Sequence, residues 1–140
     1  MTPDFYRNKR ILLLGSGELG KELVIEAKRL GCEVIALDKY QGAPAMQLAD
    51  KSYVLDMTNK KSLEEMIFDL NPDYVVPEIE ALSIDALKDV EEKGIKVVPN
   101  ARTVEITMNR DKIRDLASNT LNIRTAKYKY VFNSNELKIK

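Results

Sequence analysis

The chain has 140 residues, a length typical of one domain with a core of its own. Its 22 basic and 22 acidic residues give a formal net charge of zero, so no overall field favours nucleic acid or an anionic membrane surface as a partner. There is no histidine, which excludes a Ser-His-Asp or Cys-His pair and any histidine metal cluster, and a single cysteine, Cys32, excludes an intrachain disulfide.

The N-terminal segment, Met1 to Arg10, is polar and lacks the apolar core of a secretory signal. No later apolar run reaches the roughly 20 residues that a membrane span needs. We therefore expect a flexible leader over residues 1–9, no membrane segment and a cytoplasmic protein.

The first regular unit is a strand, a glycine turn, a helix and a second strand. Ile11 to Leu14 is an apolar run typical of a strand buried on both faces of a parallel sheet. The glycines that follow have G-x-G-x-x-G spacing: Gly15, Gly17 and Gly20. Apolar residues then recur at helical spacing, at Leu19, Leu23, Ala27 and Leu30. Gly31 ends this helix, and Val34 to Leu37 forms a strand that ends at Asp38, which completes a βαβ unit whose turn faces a small-molecule ligand.

Strands and helices continue to alternate up to residue 100. The predicted elements are a helical turn over Ala45 to Ala49, a strand over Ser52 to Leu55, a helix over Lys60 to Leu70, a strand over Asp73 to Val76, a helix over Ser83 to Lys93 and a strand over Ile95 to Val98. Ser62 and Glu65 have the spacing of a capping box for the helix over Lys60 to Leu70. The alternation predicts an α/β fold over residues 10–100, a doubly wound parallel sheet of about five strands in the order 3-2-1-4-5.

Residues 101–140 break this alternation. Apolar residues predict a helix through Ile113, Leu116, Ala117 and Leu121. Thr125 to Val131 alternates like a single strand. We interpret this stretch as a linker helix and the incomplete start of a second domain.

The glycine turn allows more than one ligand. With Asp38 about 20 residues later it matches the dinucleotide fingerprint, in which Asp38 would bind a ribose; the alternative is that Asp38 holds its own loop. Glu18, inside the turn, would repel a pyrophosphate but could accept hydrogen bonds from hydroxyl or amine donors. A P-loop is excluded because Glu22 stands where Ser or Thr must bind magnesium. The glycines could also serve only close packing of helix on strand.

Glu78 follows the fourth predicted strand, as Glu18 follows the first. In a 3-2-1-4-5 sheet these strands are neighbours at the switch point, so both acids should face one crevice that suits a ligand rich in hydroxyl or ammonium donors. The alternative is that Glu78 and Glu80 cap the next helix. Spacing alone makes Arg110 a surface arginine, and no nucleophile–base pair or metal-ligand cluster is present.

Several stretches together carry a family resemblance. They are Leu12 to Glu22, Val34 to Tyr40, Ala43 to Gln47, Asp73 to Ala81 and Thr107 to Arg110. In this order and spacing the chain resembles the N-terminal, pre-ATP-grasp domain of the formate-dependent phosphoribosylglycinamide formyltransferases of purine synthesis (glycinamide ribonucleotide transformylase 2), members of the ATP-grasp superfamily. The resemblance implies a Rossmann-like domain with a short C-terminal helix-strand extension.

The resemblance also implies a reaction and the residues that serve it. ATP, with magnesium, phosphorylates formate, and the amine of glycinamide ribonucleotide attacks the formyl phosphate. Glu18, Leu19 and Glu78 would contact glycinamide ribonucleotide, and Arg110 would contact ATP. Most ligands of ATP and magnesium belong to an ATP-grasp domain beyond Lys140, so we expect the chain alone to be inactive, with no catalytic or metal-binding residue of its own.

The resemblance leaves the partners of the chain open. We expect the chain to be either one piece of a split enzyme, completed by a separate ATP-grasp chain, or a truncated remnant, and the resemblance implies a homodimer. The alternatives are a stand-alone binding module and a nucleotide- or NAD-binding Rossmann module without catalysis.

Overall fold

The structure, a computed structural model, describes residues 7–138. Its strands are β1 (Arg10–Leu14), β2 (Glu33–Asp38), β3 (Lys51–Val54), β4 (Tyr74–Pro77) and β5 (Lys96–Val97). Its helices are α1 (Glu18–Arg29), α2 (Lys60–Leu70), α3 (Ile84–Glu92), α4 (Ala101–Met108), α5 (Arg110–Asp115) and α6 (Ser134–Leu137), with a 3-10 turn at Pro44–Gln47 and a π-helical turn at Leu116–Thr120. The chain divides into two compact units between Met108 and Asn109. Most of the predicted leader, residues 1–6, lies outside the described residues.

The five strands form one parallel sheet in the order β3-β2-β1-β4-β5. This confirms the predicted fold class and strand order. The central strand β1 pairs with β2 on one side and β4 on the other, with Leu14 opposite both Leu37 and Pro77. The carboxyl ends of β1, β2 and β4 therefore lie at one edge of the sheet.

Alternate residues of the strands supply the cores on the two faces of the sheet. Leu12 and Leu14 belong to a large buried cluster with residues of α2, α3 and α4, whereas Leu13 belongs to a smaller cluster with residues of α1. Ala101 and Val104 of α4 are buried in the larger cluster, so the first compact unit includes this helix. Cys32 is buried in the smaller cluster, where it packs as a small apolar side chain.

The helix ends show which local signals were interpreted correctly. Gly31 has a φ of +81°, in keeping with its predicted place at the end of α1. The predicted capping box at Ser62 and Glu65 is wrong, because the N-cap of α2 is Asn59, whose Oδ1 accepts a hydrogen bond from the Ser62 amide at 3.1 Å. Ser62 therefore lies at the third helical position, and its backbone, not its side chain, takes part in the cap.

The second unit, described from Asn109 to Lys138, is built differently. Its helix α5 continues into the π-helical turn, where the Leu121 amide donates to the Leu116 carbonyl at 2.9 Å. The predicted strand over Thr125 to Val131 is wrong: these residues form no strand, since a strand needs a partner ladder and the described part of this unit offers none. None of its described residues is buried.

Among the described residues, every helix is too short or too polar to cross a membrane.

Candidate functional site

The candidate site lies where β1 and β4 end side by side. Leu14 and Pro77 are register partners, and the Glu78 amide donates a hydrogen bond to the Leu14 carbonyl at 2.8 Å. This bond extends the ladder by one residue and fixes Glu78 beside the glycine turn. The pairing of β1 with β4 therefore places Glu78 at the crevice of the switch point, where the sequence predicted it.

Gly15 makes the room that Glu78 occupies. Its φ is +103°, and a Cβ at this position would lie 2.1 Å from Ile79 Cγ2 and 2.9 Å from Glu78 Oε2. Gly20 has a different role, because a Cβ there would lie 3.1 Å from the Gly15 carbonyl oxygen and 3.2 Å from Leu13 Cδ2. Close helix packing therefore explains Gly20, whereas Gly15 leaves room for Glu78 and Ile79, the two residues that follow β4.

The Glu78 carboxylate is an unsatisfied acceptor. Its Oε2 atom is buried, and it has no hydrogen-bond partner among the described residues. Burial raises the pKa of Glu78 above its usual range, and the negative charge of Asp38 raises that pKa further. A buried acceptor without a partner costs about 1–3 kcal/mol, so this atom is suited to a ligand that brings a hydrogen-bond donor.

Asp38 holds the turn rather than facing a ligand with free oxygens. Its Oδ2 accepts a hydrogen bond from the Ser16 amide at 2.8 Å, and its Oδ1 accepts one from the Lys39 amide at 2.7 Å. Asp38 is only 5% exposed. Of the two predicted roles, holding its own loop is the one that these contacts support.

Ser16 is a part of the turn that no sequence pattern marks. It is fully buried, and its Oγ donates to the Leu37 carbonyl at 2.9 Å while its own carbonyl accepts from the Ala45 amide at 2.9 Å. The turn is thus tied to β2 and to the 3-10 turn. Its position between two glycines was the only available signal, and that signal does not reveal tertiary hydrogen bonds.

Glu18 and Leu19 begin α1 at the same edge of the sheet. Both are exposed, Leu19 at 71%. Leu19 and Glu78 line one open cleft of about 580 Å³, together with Glu22 and Leu23. Gly17, the N-cap of α1, offers no side-chain cap, so the exposed carboxylate of Glu18 lies at the positive end of the helix.

Glu78 also borders a second cavity. This space of about 260 Å³ is lined on one side by Glu78, Ile79 and Glu80 and on the other by Val104, Thr107 and Met108 of α4. The N-cap of α3 is Ser83, whose Oγ accepts from the Ala86 amide at 3.2 Å. The alternative that Glu78 and Glu80 cap that helix is therefore wrong.

Arg110 lies in the second unit. It is the first residue of α5, it is exposed, and its neighbour Asn109 is the N-cap. This position does not test the predicted contact of Arg110 with ATP, which stays a prediction.

In the part of the chain that the structure describes, no three His, Cys, Asp or Glu side chains come together as a group that could hold a metal ion. Glu18 and Glu78 supply carboxylates at the start of α1 and directly after β4. The chemistry that they do supply is the binding of a donor-rich ligand by carboxylate oxygens.

The domain described above matches a known family. A family model described as the ribonucleotide synthetase preATP-grasp domain matches residues 8–108. This chain belongs to that family. The preATP-grasp match ends at Met108, the residue at which the first compact unit ends.

Relatives of this preATP-grasp chain include longer proteins. A formate-dependent phosphoribosylglycinamide formyltransferase of Prochlorococcus marinus subsp. pastoris is 74% identical over 132 residues, which is 94% of this chain and 34% of the relative. The structure of glycinamide-RNase-transformylase T from Mycobacterium tuberculosis aligns with a TM-score of 0.86 and 44% identity, over 93% of this chain and 37% of that one. N5-carboxyaminoimidazole ribonucleotide synthetase from Thermotoga maritima aligns with a TM-score of 0.78 and 28% identity, over 91% of this chain and 35% of that one.

The preATP-grasp chain thus spans about a third of the length of these relatives. The predicted resemblance to the N-terminal, pre-ATP-grasp part of formate-dependent phosphoribosylglycinamide formyltransferases is confirmed.

Proposed function

We propose that this chain is the substrate-binding portion of a formate- and ATP-dependent formyltransferase that acts on glycinamide ribonucleotide in cytoplasmic purine biosynthesis. The observation that carries the proposal is Glu78 Oε2, a buried acceptor that has no hydrogen-bond partner among the described residues. The names of the matching relatives, a formate-dependent phosphoribosylglycinamide formyltransferase and a glycinamide-RNase-transformylase, support the choice of glycinamide ribonucleotide as the substrate.

The ligand that fits this crevice carries amine and hydroxyl groups. Glu78 would accept a hydrogen bond from the glycinamide amine, and Glu18, at the start of α1, would accept from the amine or from ribose hydroxyls. Leu19, exposed beside them, would pack against the apolar parts of the substrate. Holding the amine in one orientation is the contribution that such a site makes to a transfer reaction.

Arg110 would contact ATP, which supplies the phosphoryl group that activates formate, with magnesium to neutralise its charge. The other residues that hold ATP and magnesium would come from an ATP-grasp portion, and residues 101–140 would be the linker helix and the incomplete start of that portion. Because phosphoryl transfer depends on positioning and electrostatic stabilisation, the chain alone would be inactive. A separate ATP-grasp chain would complete it, and the family resemblance also favours a homodimer.

Titration calorimetry with glycinamide ribonucleotide and, separately, NAD tests this proposal. We expect the ribonucleotide to bind weakly and NAD not to bind. Replacing Glu78 by Gln should weaken binding by about 10-fold to 100-fold, the range expected for one hydrogen bond to a charged group.

The matched control is Glu92→Gln, which removes an exposed carboxylate from the end of α3 and should leave affinity unchanged. Binding of NAD without the ribonucleotide would instead favour a dinucleotide-binding module. An equal affinity of the Glu78 and Glu92 variants would contradict the assigned role of Glu78.

A further inference from the structure

The first unit has an open apolar groove away from the glycine turn. It is a cavity of about 480 Å³ between α1 and β4, here called the α1–β4 groove. Its apolar walls and floor are formed by Ile11, Leu23, Leu30, Tyr74, Val76 and Val98.

The groove exists because one face of the sheet is only partly covered. Helices α2, α3 and α4 contribute to the buried cluster on one face, whereas α1 and the 3-10 turn contribute to the cluster on the other. On this second face Val76 of β4 is only partly buried against the α1 cluster, and within residues 7–108 no residue of β5 belongs to that cluster. Parallel sheets normally have helices on both faces, so the position of one helix is vacant in this unit.

The exposure of the groove residues is high for apolar side chains. Leu30 is 51% exposed and Val98 is 50% exposed. Contiguous apolar surface of this kind marks an interaction site rather than a neutral surface.

The charged residues at the groove rim are already paired. Lys9 Nζ lies 2.7 Å from Asp73 Oδ1, and Arg29 Nη1 lies 2.7 Å from Glu26 Oε1. A small-molecule pocket usually presents a few convergent polar groups to its ligand, and here these groups are engaged elsewhere. The groove therefore favours a continuous apolar surface of a polypeptide.

We propose that the α1–β4 groove is the docking site of an amphipathic helix from the region that makes up the rest of the relatives' length. This chain spans only 34% of its formyltransferase relative, so a large region is present there that this chain does not match. A helix with apolar residues at i, i+3 or i+4 and i+7 would fill the vacant position over β4 and β5.

The groove is continuous with the candidate site. Leu23, Glu26 and Val76 line both the groove and the cleft that reaches Leu19 and Glu78. A helix in the groove would therefore shield the wall of the crevice from water. The docking proposal does not require that the crevice bind glycinamide ribonucleotide.

The test uses the full chain and, as a separate polypeptide, the part of the Prochlorococcus relative that it does not match. Affinity is measured by calorimetry for the wild-type chain and for two variants, Leu30→Glu in the groove and Leu48→Glu outside it. Both leucines are about half exposed, at 51% and 43%, so both variants should fold, which circular dichroism checks. We expect at least a 10-fold loss of affinity for Leu30→Glu and less than a twofold change for Leu48→Glu.

Methyl NMR of the chain supplies a readout that needs neither activity nor substrate. On addition of the partner, methyl signals of Leu23, Leu30, Val76 and Val98 should shift, while those of Leu48 and Val54 should not. Absence of binding, an equal effect of the two variants, or groove shifts caused by self-association of the chain alone would each overturn the proposal.

Discussion

Glu78 combines two properties that rarely occur together in a residue that serves only the fold. Its Oε2 atom is buried without a hydrogen-bond partner in the described structure, and burial raises its pKa. Both properties cost stability when the side chain is ionised. We therefore assign the Glu78 carboxylate to ligand binding rather than to stabilisation of the fold.

The stability of the protein should therefore depend on pH through Glu78. Because its folded-state pKa is raised, the protonated form favours folding, and this contribution is lost as pH rises from the ordinary pKa of Glu through the folded-state pKa. Gln imitates the protonated acid. We expect Glu78→Gln to match the wild-type free energy of unfolding at about pH 4 and to exceed it at pH 7, as measured by urea unfolding.

A Glu78→Gln variant less stable than the wild type at pH 7 would contradict this account of the site. The Glu92→Gln variant, whose side chain is exposed, serves as the control and should follow the wild type at both pH values.

Gly15 should tolerate no side chain. Both Gly15 and Gly42 have positive φ, but a Cβ would meet Ile79 and Glu78 at Gly15 and nothing within 4 Å at Gly42. We expect Gly42→Ala to cost about 1–2 kcal/mol for the left-handed backbone and Gly15→Ala about 1–3 kcal/mol more for the steric overlap. Chemical denaturation measures both, and equal costs would show that Gly15 does not make room for Glu78.

Among the single elements, the N-terminus of α2 allows a direct test of which residue caps the helix. The Asn59 side chain accepts the amide of Ser62, whereas Ser62 contributes only that amide. We expect Asn59→Ala to lower the free energy of unfolding by about 1 kcal/mol and Ser62→Ala to leave it nearly unchanged, in urea unfolding. The reverse order would restore the capping box that the sequence suggested.

Elements with a strong internal pattern could be predicted from the sequence. The predicted helix over Lys60 to Leu70 has the bounds of α2, and the strand order followed from the alternation of strands and helices. Thr125 to Val131 has an equally clear alternation, but a strand also needs a hydrogen-bonding partner, which a single stretch of sequence cannot show.

Only part of the candidate site could be predicted from the sequence. Topology alone brings Glu78 to the crevice at the carboxyl end of β1. The bonds from the amides of Ser16 and Lys39 to Asp38, and the fit of Ile79 over Gly15, depend on tertiary distances and left no distinct pattern in the sequence.

At the scale of the whole molecule, the two compact units differ in their cores. The buried apolar residues of the described chain all lie between Leu12 and Val104. In the second unit large side chains remain exposed, with Phe132 at 89% and Leu137 at 72%. The first unit therefore has its own source of stability, and the second has no buried apolar core within its described residues.

A chain that ends at Met108 should fold. We expect its free energy of unfolding to lie within about 1 kcal/mol of that of the full chain, because no residue of the apolar core is removed. Urea unfolding followed by circular dichroism makes the comparison. Loss of the cooperative transition on truncation would mean that the first unit depends on the second.

We propose that this chain binds the substrate of a formyltransferase and that a separate ATP-grasp polypeptide supplies the remaining parts of the enzyme. The most direct measurement is the formation of formylglycinamide ribonucleotide from ATP, formate and glycinamide ribonucleotide, by the chain alone and with the unmatched part of the Prochlorococcus relative. We predict no product from the chain alone and product from the mixture. When the mixture contains Glu78→Gln, we predict that product forms at least 10-fold more slowly than with the wild-type chain, and the urea unfolding described above checks that this variant folds. Product from the chain alone, or equal rates with wild-type and Glu78→Gln chains, would contradict the account.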